Sequence, residues 1–476
     1  RGRKFFTQEI AQIYDELFER VKNDLSVQKS ISLTTDIWTS SQATISILSL
    51  TAHFIRHNLS TNCYEPSVIL VSATQIKGAH TGTKICEKLQ ESLDKFGIDI
   101  SKIHLVLRDA QSAMKLGTNI LGCDSQDCFL HKMQLSIGDG IKIYSDFLPL
   151  SEKIKKVIRK IRKSSVQREY FQKLQQEMDL PNHVLIKSTE VRWNSVYQMC
   201  ERFYENKTAI GLFIGNSNIN IEPFSETDWE LIRTLVDQLK PIYHITKELE
   251  KRDSTIASII PIFRSLLNKL RKFNSAFSNR VADGLESRMT GWEMKRKLVI
   301  ATVLDPNYKM DFFDREMRDM YKRWIIDELS QDLDLSQNFD NSQLVNEIAE
   351  CSSQDSNPVK SLLDEFVQEN SFGNNENLYL DVNETELIKH EVNAYLNEPR
   401  INSNIFNYWS INSEKWPRLT NLFRRFNSAP VGSQESERLF SIAGITLTDL
   451  RNRLTAENLE KLLFLHRNLP IYNFSY

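Results

Sequence analysis

Three features that the sequence lacks already narrow its class. The 476 residues contain only six cysteines, widely scattered, so we expect reduced thiols and no disulfide framework. No apolar run is long enough to cross a membrane and no signal peptide is recognisable, so we expect neither a membrane protein nor a secreted one. The paired Cys and His spacing of a zinc finger is also missing, so we expect no zinc site in this chain. What remains is an intracellular protein with an ordinary globular composition, 41% apolar and 26% charged.

A strong net charge is missing as well, but the charge is unevenly distributed. The formal net charge of −2 does not by itself indicate a protein that binds nucleic acid. Between residues 153 and 168, however, eight Lys and Arg residues occur without an acidic one, and apolar residues at 154, 157, 158 and 161 predict an amphipathic helix. Its positive face is either simply solvated or binds a DNA backbone. The candidates for phosphate contacts are Lys156, Arg159, Lys160 and Lys163.

The first 130 residues predict a mixed α/β layout. Residues 4–28 have helical periodicity, and candidate strands follow at 31–35, 44–54 and 67–75. A helix at 79–96, a strand at 104–107, a helix at 112–121 and a strand at 127–130 complete the pattern. This order of elements is that of a ribonuclease-H-like domain. The remaining chain is mostly helical in its periodicity, so the predicted fold class is α/β plus α.

Two aspartates, Asp36 and Asp109, each follow a predicted strand. Ligand-binding groups collect at the carboxyl ends of strands in α/β sheets, because the backbone fixes the side chains while the loops leave access. Taken singly, each residue is more simply explained as a turn or helix-capping aspartate, since Asp is common after strands. The functional interpretation therefore depends on what else in the sequence accompanies them.

The most distinctive pattern lies near the C-terminus. Residues 433–444 read Ser-Gln-Glu-Ser-Glu-Arg-Leu-Phe-Ser-Ile-Ala-Gly, followed by Arg-Asn-Arg at 451–453 and a Leu-rich segment that reaches Asn468. The local pattern predicts a helix that Ser433 caps and Gly444 ends, with Glu437 opposite the apolar stripe. By itself it would make Glu437 a surface glutamate paired with an arginine. As a whole, the block resembles the C-terminal signature of the hAT superfamily of DNA transposases.

Further segments resemble hAT motifs in the same order along the chain. Residues 34–40 and 105–114 resemble the segments that hold the first two catalytic aspartates, and residues 128–135 resemble the family's Cys-x-x-His segment. Residues 189–197 resemble its Arg-Trp-Asn-Ser motif, and residues 301–309 resemble a landmark of its helical insertion. The resemblance implies a catalytic, metal-binding triad formed by Asp36, Asp109 and Glu437.

The resemblance also implies cofactors and partners. Three carboxylates of this kind hold two Mg²⁺ or Mn²⁺ ions, which prefer oxygen ligands and promote phosphodiester cleavage. DNA contacts are expected from the cationic helix and from Cys128, His131, Arg192, Trp193 and Arg438. A tryptophan can stack on an extruded base, although a core tryptophan at a helix start is a serious alternative. A homodimer or higher oligomer is expected through the last apolar helix, at Leu459, Leu462 and Leu463. These leucines also have the pattern of residues that pack back on the sheet.

The resemblance divides the chain into four parts. A helical segment at 1–28 precedes the first part of a ribonuclease-H-like catalytic core at 29–202. A large all-helical insertion domain follows at 203–392, with an acidic, flexible linker at about 330–385. Residues 393–476 return to the core and form the dimerisation region. The Glu437 helix must therefore come back to the sheet edge after the insertion.

Three functions from different classes fit these observations. The first is a DNA transposase of the hAT type, or a nuclear protein derived from one. The second is a domesticated, catalytically inactive protein that binds DNA and dimerises as a transcriptional regulator or scaffold. The third is a helical interaction protein without an active site, and it predicts that the three carboxylates do not meet. No BED-type zinc finger, the module that recognises transposon ends in relatives, occurs in the sequence, and Arg1 in place of Met suggests a fragment.

Overall fold

The computed structural model describes residues 2–40, 45–188, 193–216, 221–347, 384–447 and 454–472. The described part contains five strands: β1 (Ile31–Thr39), β2 (Ser46–Asn58), β3 (Cys63–Ile76), β4 (Ile103–Arg108) and β5 (Ser125–Asp127). They form one sheet of order β3-β2-β1-β4-β5. The first three strands pair antiparallel, whereas β4 pairs parallel with both β1 and β5. The predicted mixed sheet is confirmed.

Helices make up most of the remaining described chain. The helices associated with the sheet early in the sequence are α1 (Arg3–Ser26), α2 (Gly82–Phe96), α3 (Ser112–Ile120) and α4 (Phe129–Ile141). The middle of the chain forms α5 (Phe147–Lys163), α6 (Ser165–Glu177), α7 (Trp193–Glu205), α8 (Lys207–Asn216), α9 (Glu226–Leu249), α10 (Ile259–Phe273), α11 (Ala276–Met289), α12 (Arg296–Val303) and α13 (Arg318–Glu347). The C-terminal part forms α14 (Glu384–Asn397), α15 (Ile405–Asn412), α16 (Pro417–Phe426), α17 (Gln434–Thr446) and α18 (Ala456–Asn468). No described helix is long and apolar enough to cross a lipid bilayer.

The alternation of side chains along β1 separates a core from a polar surface. Ile31 and Leu33 enter a hydrophobic core that contains residues of α1, α2 and α18. Because successive side chains of a strand point to opposite faces, Ser32, Thr34 and Asp36 share the other face. The chain that precedes α17 covers this face, where the hydroxyl oxygens of Ser32 and Ser428 lie 2.7 Å apart. A buried polar strip thus leads along β1 to Asp36.

Several predicted element boundaries are wrong for local reasons. The basic helix ends at Lys163, because Ser164 has an extended backbone and its hydroxyl caps α6 by accepting from the Gln167 N–H. The last strand ends at Asp127 and not at residue 130. The first part of the expected linker, to residue 347, belongs to α13, and residues 348–383 lie outside the described chain.

The buried histidine of β2 makes native stability dependent on pH. His53 is 3% exposed, and its Nε2 lies 2.9 Å from the Thr34 hydroxyl. Burial, together with the charge of Arg467, lowers the pKa of His53 from 6.5 to about 3. The unfolded chain therefore binds a proton between these values that the native state does not, so stability is lost as the pH falls below 6.5.

We expect this histidine to cost about 2 kcal/mol of stability between pH 7 and pH 5. A His53→Gln variant keeps a hydrogen-bonding partner for Thr34 but cannot titrate, so its stability should change correspondingly less over the same range. Urea unfolding of both proteins at the two pH values measures the difference. An equal pH dependence in the variant would assign the acid sensitivity to other groups.

Candidate active site

Asp36 and Asp109 lie side by side on neighbouring parallel strands. Thr34 of β1 is in register with Leu107 of β4, so two residues further along each strand bring Asp36 opposite Asp109. Each carboxylate also caps its own backbone. Oδ1 of Asp36 accepts from the Ile37 N–H at 2.8 Å, and Oδ1 of Asp109 accepts from the Gln111 N–H at 3.1 Å. Both aspartates therefore have the capping role that is expected after a strand. Each of these two hydrogen bonds uses only Oδ1, so Oδ2 can also bind a ligand.

Glu437 lies on the first turn of α17, which a hydrogen bond ties to the sheet beside Asp36. Ser49 of β2 is the register partner of Asp36, and its hydroxyl donates to the Ser436 hydroxyl at 2.8 Å. Both serines are completely buried. Because Ser436 directly precedes Glu437, this hydrogen bond fixes the start of α17 at the level of Asp36. The Glu437 residue itself is exposed, as its position opposite the apolar stripe predicts.

The local prediction for α17 is wrong at both ends. Ser433 forms no side-chain capping hydrogen bond with the helix. Its hydroxyl instead acts on the carboxylate of Asp36, where it helps to lower the pKa of that group against the larger effect of burial. At the other end, the helix continues through Gly444 to Thr446. The serine therefore connects the helix start to β1, which a local capping pattern could not indicate.

The charges of Asp109 and Glu437 both act on the Asp36 carboxylate. Burial raises the pKa of Asp36 to about 7, and the negative charges of Asp109 and Glu437 contribute to this rise. Burial also raises the pKa of Asp109, whereas the Gln111 N–H and the charges of His131 and Arg108 hold it down. An acidic site with uncompensated negative charge results.

The donor set suits a hard divalent cation. All three groups offer carboxylate oxygen, the ligand that Mg²⁺ and Mn²⁺ prefer. Burial is the main cause of the raised pKa of Asp36, and a cation would neutralise the charges of Asp109 and Glu437 that add to it. In the described part of the chain, no three His, Cys, Asp or Glu side chains are already arranged to hold a metal ion. The chemistry of the residues fits the cation, and its binding would have to draw the carboxylates closer together.

Cys128 and His131 border the carboxylates. The Cys128 N–H donates to the carbonyl oxygen of Arg108 at 2.7 Å, and its thiol is buried. A Cβ atom on Gly432 would lie 2.6 Å from this thiol, so only glycine allows the chain before α17 to approach so closely. His131 is partly exposed, and its charge acts on Asp109. Cys128 thus serves as a packing surface, whereas His131 is accessible.

Most of the other expected DNA contacts lie on exposed surface. The four candidates on α5 are all exposed: Lys156, Arg159, Lys160 and Lys163. Arg438 is partly exposed and forms an ion pair with Glu435. Trp193, in contrast, is only 7% exposed and belongs to the large helical core, and Arg192 lies outside the described residues. A base-stacking role of Trp193 stays a prediction, and the ring would have to leave its packed position.

The leucines expected at a dimer surface are mainly used within the chain. Leu459 and Leu463 of α18 are each 1% exposed and pack in a small core with Ile47 and Leu70 of the sheet. Leu462 is partly buried. The Asn468 side chain adds two hydrogen bonds to the backbone of Leu70, at 3.0 and 2.9 Å. The packing alternative therefore holds for Leu459 and Leu463, and their role in dimerisation stays a prediction.

Sequence patterns alone do not predict two features of the site. The Ser49–Ser436 hydrogen bond joins residues 387 positions apart, and nothing local marks either serine. Glu435 is buried and forms ion pairs with three arginines: Arg252, Arg438 and Arg467. Of these pairs only Glu435–Arg438, with its helical i, i+3 spacing, could have been found from the sequence.

Comparison with known families agrees with this arrangement. Residues 34–128 match the ZBED1 RNase-like domain, and this segment includes both aspartates. Residues 126–238 match the ZBED1 RNase-like helical domain. Residues 391–469, which include Glu437, match the hAT family C-terminal dimerisation region. The chain is a hAT-type transposase-like protein.

Relatives of this hAT-type chain include both transposases and BED zinc finger proteins. Human "Zinc finger BED domain-containing protein 4" is 26% identical over 98% of the chain, which covers 40% of that relative. The Zea mays protein named "Putative AC transposase" is 23% identical over 97% of the chain and is covered over 59% of its length. Human "Zinc finger BED domain-containing protein 6" is 22% identical over 99% of the chain, with 52% covered. The chain spans about half the length of these relatives.

Proposed function

We propose that this chain is the ribonuclease-H-like catalytic part of a hAT-type DNA transposase, or of a nuclear protein derived from one. In this proposal Asp36, Asp109 and Glu437 jointly bind divalent cations and promote DNA strand cleavage. The main support is the Ser49–Ser436 hydrogen bond of 2.8 Å, which sets the Glu437 helix beside the strand that carries Asp36. In this proposal the helical residues 203–392 are an insertion, and residues 393–476 complete the core.

The chain's own residues hold the site rigid. Asp36 and Asp109 are fixed by the sheet and by backbone hydrogen bonds, and Glu437 is fixed through its buried neighbour Ser436. Two divalent cations bound there would activate a water molecule and stabilise the leaving oxygen of the phosphodiester. Because the sheet and these hydrogen bonds hold the backbone of the three residues, the ions would have to draw only the carboxylate side chains closer together.

The same proposal assigns two partners. DNA is the first, with the exposed cations of α5 and the accessible His131 contributing contacts. A second copy of the chain is the other, through the region that matches the hAT dimerisation model. A transposase-like protein that acts on chromosomal DNA works in the nucleus, which is the compartment we propose for this chain.

A second candidate function is a domesticated protein that binds DNA and dimerises without cutting. Relatives named as BED zinc finger proteins favour it, as does the fact that no group of described side chains is already placed to hold a metal ion. Both candidates predict DNA binding and self-association. They differ in whether the carboxylates bind a cation that supports cleavage.

A thermal-shift titration with Mn²⁺ tests the site directly. At a cation concentration of about 100 times the dissociation constant, binding stabilises the native state by about 2.7 kcal/mol, so the Tm of the wild-type chain should rise by a few degrees. The Asp109→Asn variant, which lacks one of the buried ligands, should show little or no rise. An equal rise in both proteins would place the Mn²⁺ elsewhere.

Nicking of supercoiled plasmid DNA in Mn²⁺ then separates the two candidate functions. Cleavage by the wild-type chain that the Asp109→Asn variant lacks supports the transposase. A Tm rise without cleavage supports the domesticated, inactive protein. No Tm rise and no cleavage would contradict the metal site altogether.

A further inference from the structure

Three arginines from separate segments converge on one buried carboxylate next to the proposed active site. Glu435, on the first turn of α17, is 9% exposed. Arg467 of α18 lies 2.7 Å from it, Arg252 lies 3.6 Å from it, and Arg438 forms an ion pair one helical turn further on. Three cations face a single anion, so this Glu435 cluster has a surplus of positive charge.

Part of this surplus is accessible. Arg252 is 64% exposed and Arg438 is 41% exposed at their side chains, whereas Arg467 is 18% exposed. Burial lowers the pKa of Arg467, and the charges of Arg252 and Arg438 lower it further while Glu435 raises it. The Arg438 guanidinium also donates to the carbonyl oxygen of Glu250 at 2.7 Å. Arg467 therefore balances the charge of Glu435, whereas the side chains of Arg252 and Arg438 are partly open to solvent.

A second group of cations lies at the opposite edge of the sheet, beside β5. Arg108 and Lys132 both form ion pairs with Asp127 at the end of β5. Lys295 donates to the neighbouring Gln126 side chain at 2.7 Å. Partial desolvation lowers the pKa of Lys295, Asp127 raises it, and the charges of Lys132, Arg108 and Lys115 lower it further. This Asp127 cluster, too, has several cations around one carboxylate.

The strand order places the two clusters on either side of the three carboxylates. Asp127 belongs to β5 at one edge of the sheet, Asp109 follows β4, and Asp36 lies on β1. Glu437 is tied to β2 through Ser49, and α18, which carries Arg467, packs on β3 at the other edge. Neighbouring strands are about 4.8 Å apart, so the clusters are separated by up to about 19 Å. That span corresponds to roughly six nucleotides at about 3.4 Å each.

We propose that one DNA strand lies across this end of the sheet, with its phosphates bound by the Glu435 cluster on one side of the carboxylates and by the Asp127 cluster on the other. The exposed members make the phosphate contacts, Arg252 and Arg438 at one end and Lys115 and Lys295 at the other. Buried Arg108 holds Asp127 in place, and half-buried Arg467 holds Glu435. This inference rests on the proposed function, because it assigns the DNA path at the same site.

The competing explanation is structural. The Glu435 cluster joins the chain after α9 to α17 and α18, so its arginines would then stabilise the fold without touching DNA. The two explanations predict different measurements. A phosphate contact changes the salt dependence of DNA binding, whereas a purely structural ion pair changes the melting temperature.

The test measures the binding of a fluorescein-labelled single-stranded oligonucleotide, long enough to cover both clusters, by anisotropy at several salt concentrations. All variants carry Asp36→Asn as well, so that the probe stays intact and the result does not depend on cleavage. Arg252→Gln and Lys115→Gln each remove one outer cation, and the double variant removes one at each end. Lys272→Gln, at an exposed position in the last turn of α10, is the matched control.

Each single variant is expected to lower the slope of log affinity against log salt by about 0.7, and to weaken binding at low salt roughly threefold. The double variant should lose the sum of both effects, while Arg252→Lys and the Lys272→Gln control retain the parent slope. An unchanged slope in Arg252→Gln and Lys115→Gln, with or without a lower Tm, would overturn the proposed path. So would an equal loss in the Lys272→Gln control. Failure of the metal site would appear separately, as the missing Mn²⁺ shift of the wild-type chain.

Discussion

Asp36→Asn is expected to abolish metal-dependent cleavage and at the same time to stabilise the metal-free protein. Removing a ligand from a metal site loses several kcal/mol of transition-state stabilisation, so the rate should fall by at least about a thousandfold. The amide can still accept the Ile37 N–H, which preserves the local hydrogen bond of the carboxylate. The loss of activity would then be chemical in origin and not a failure to fold.

The gain in stability follows from the pKa of Asp36. That pKa is 3.8 in the unfolded chain and about 7 in the native state, chiefly because of burial and then because of Asp109. The native carboxyl group thus contributes stability at low pH that is lost as the pH rises from about 4 to about 7. At pH 8 the variant should be more stable than the wild type by about 2 kcal/mol, roughly half of the full linkage value because an amide is also poorly solvated there.

Urea unfolding at pH 5 and pH 8 measures this gain, which should be larger at pH 8. Asp99→Asn is the control, since Asp99 also caps a turn, at the Ser101 N–H, but hydrogen bonds from Ser101 lower its pKa. That variant should not be stabilised at either pH. A destabilised Asp36→Asn protein at pH 8 would show that the native site does not impose the charge repulsion that its surroundings indicate.

Two glutamates on the first turn of α17 should respond in opposite ways to substitution. Glu435→Ala leaves Arg252, Arg438 and Arg467 without their shared carboxylate. Removing one partner of a buried ion pair costs about 3–5 kcal/mol, and we expect about 3 kcal/mol because two of the arginines are partly solvated. Glu437→Gln alters an exposed side chain, so stability should change by less than about 0.5 kcal/mol, whereas cleavage and the Mn²⁺ shift should be lost.

The two residues control for each other, because they lie on the same turn of one helix. Thermal unfolding and plasmid nicking of both variants provide the measurements. If Glu437→Gln keeps both cleavage and the Mn²⁺ shift, Glu437 is not a metal ligand. If Glu435→Ala unfolds at the wild-type temperature, the arginines do not depend on Glu435, and the ion-pair network contributes little.

The sequence predicted the mixed sheet well, because its strands depend on short-range patterns. Alternation of apolar residues indicates strands, and aspartates that follow neighbouring parallel strands meet at one edge. Glu437 is different, since only the resemblance of its whole block to a family motif connected it with Asp36. The contact that fixes it, between Ser49 and Ser436, spans most of the chain and has no local signal.

The wrong predictions have two physical causes, which are long-range contacts that displace local preferences and local caps that interrupt a helix. Ser433 has the position of a helix cap, but it forms no capping hydrogen bond and its hydroxyl acts on Asp36 instead. A run of cations hid the break at Ser164, where a side-chain cap starts a new helix. The spacing of Leu459 and Leu463 fits both a dimer surface and packing within the chain, and in the structure the sheet of the same chain covers them, while their role in dimerisation stays a prediction. Periodicity identifies an apolar face but not the surface that it packs against.

The central claim is that Asp36, Asp109 and Glu437 hold divalent cations together, and a crystal structure with Mn²⁺ tests it most directly. Anomalous difference density should show two Mn²⁺ ions about 4 Å apart, coordinated by carboxylate oxygens of all three residues. Density at only one of the carboxylates, or only at other acidic side chains of the chain, would contradict the claim.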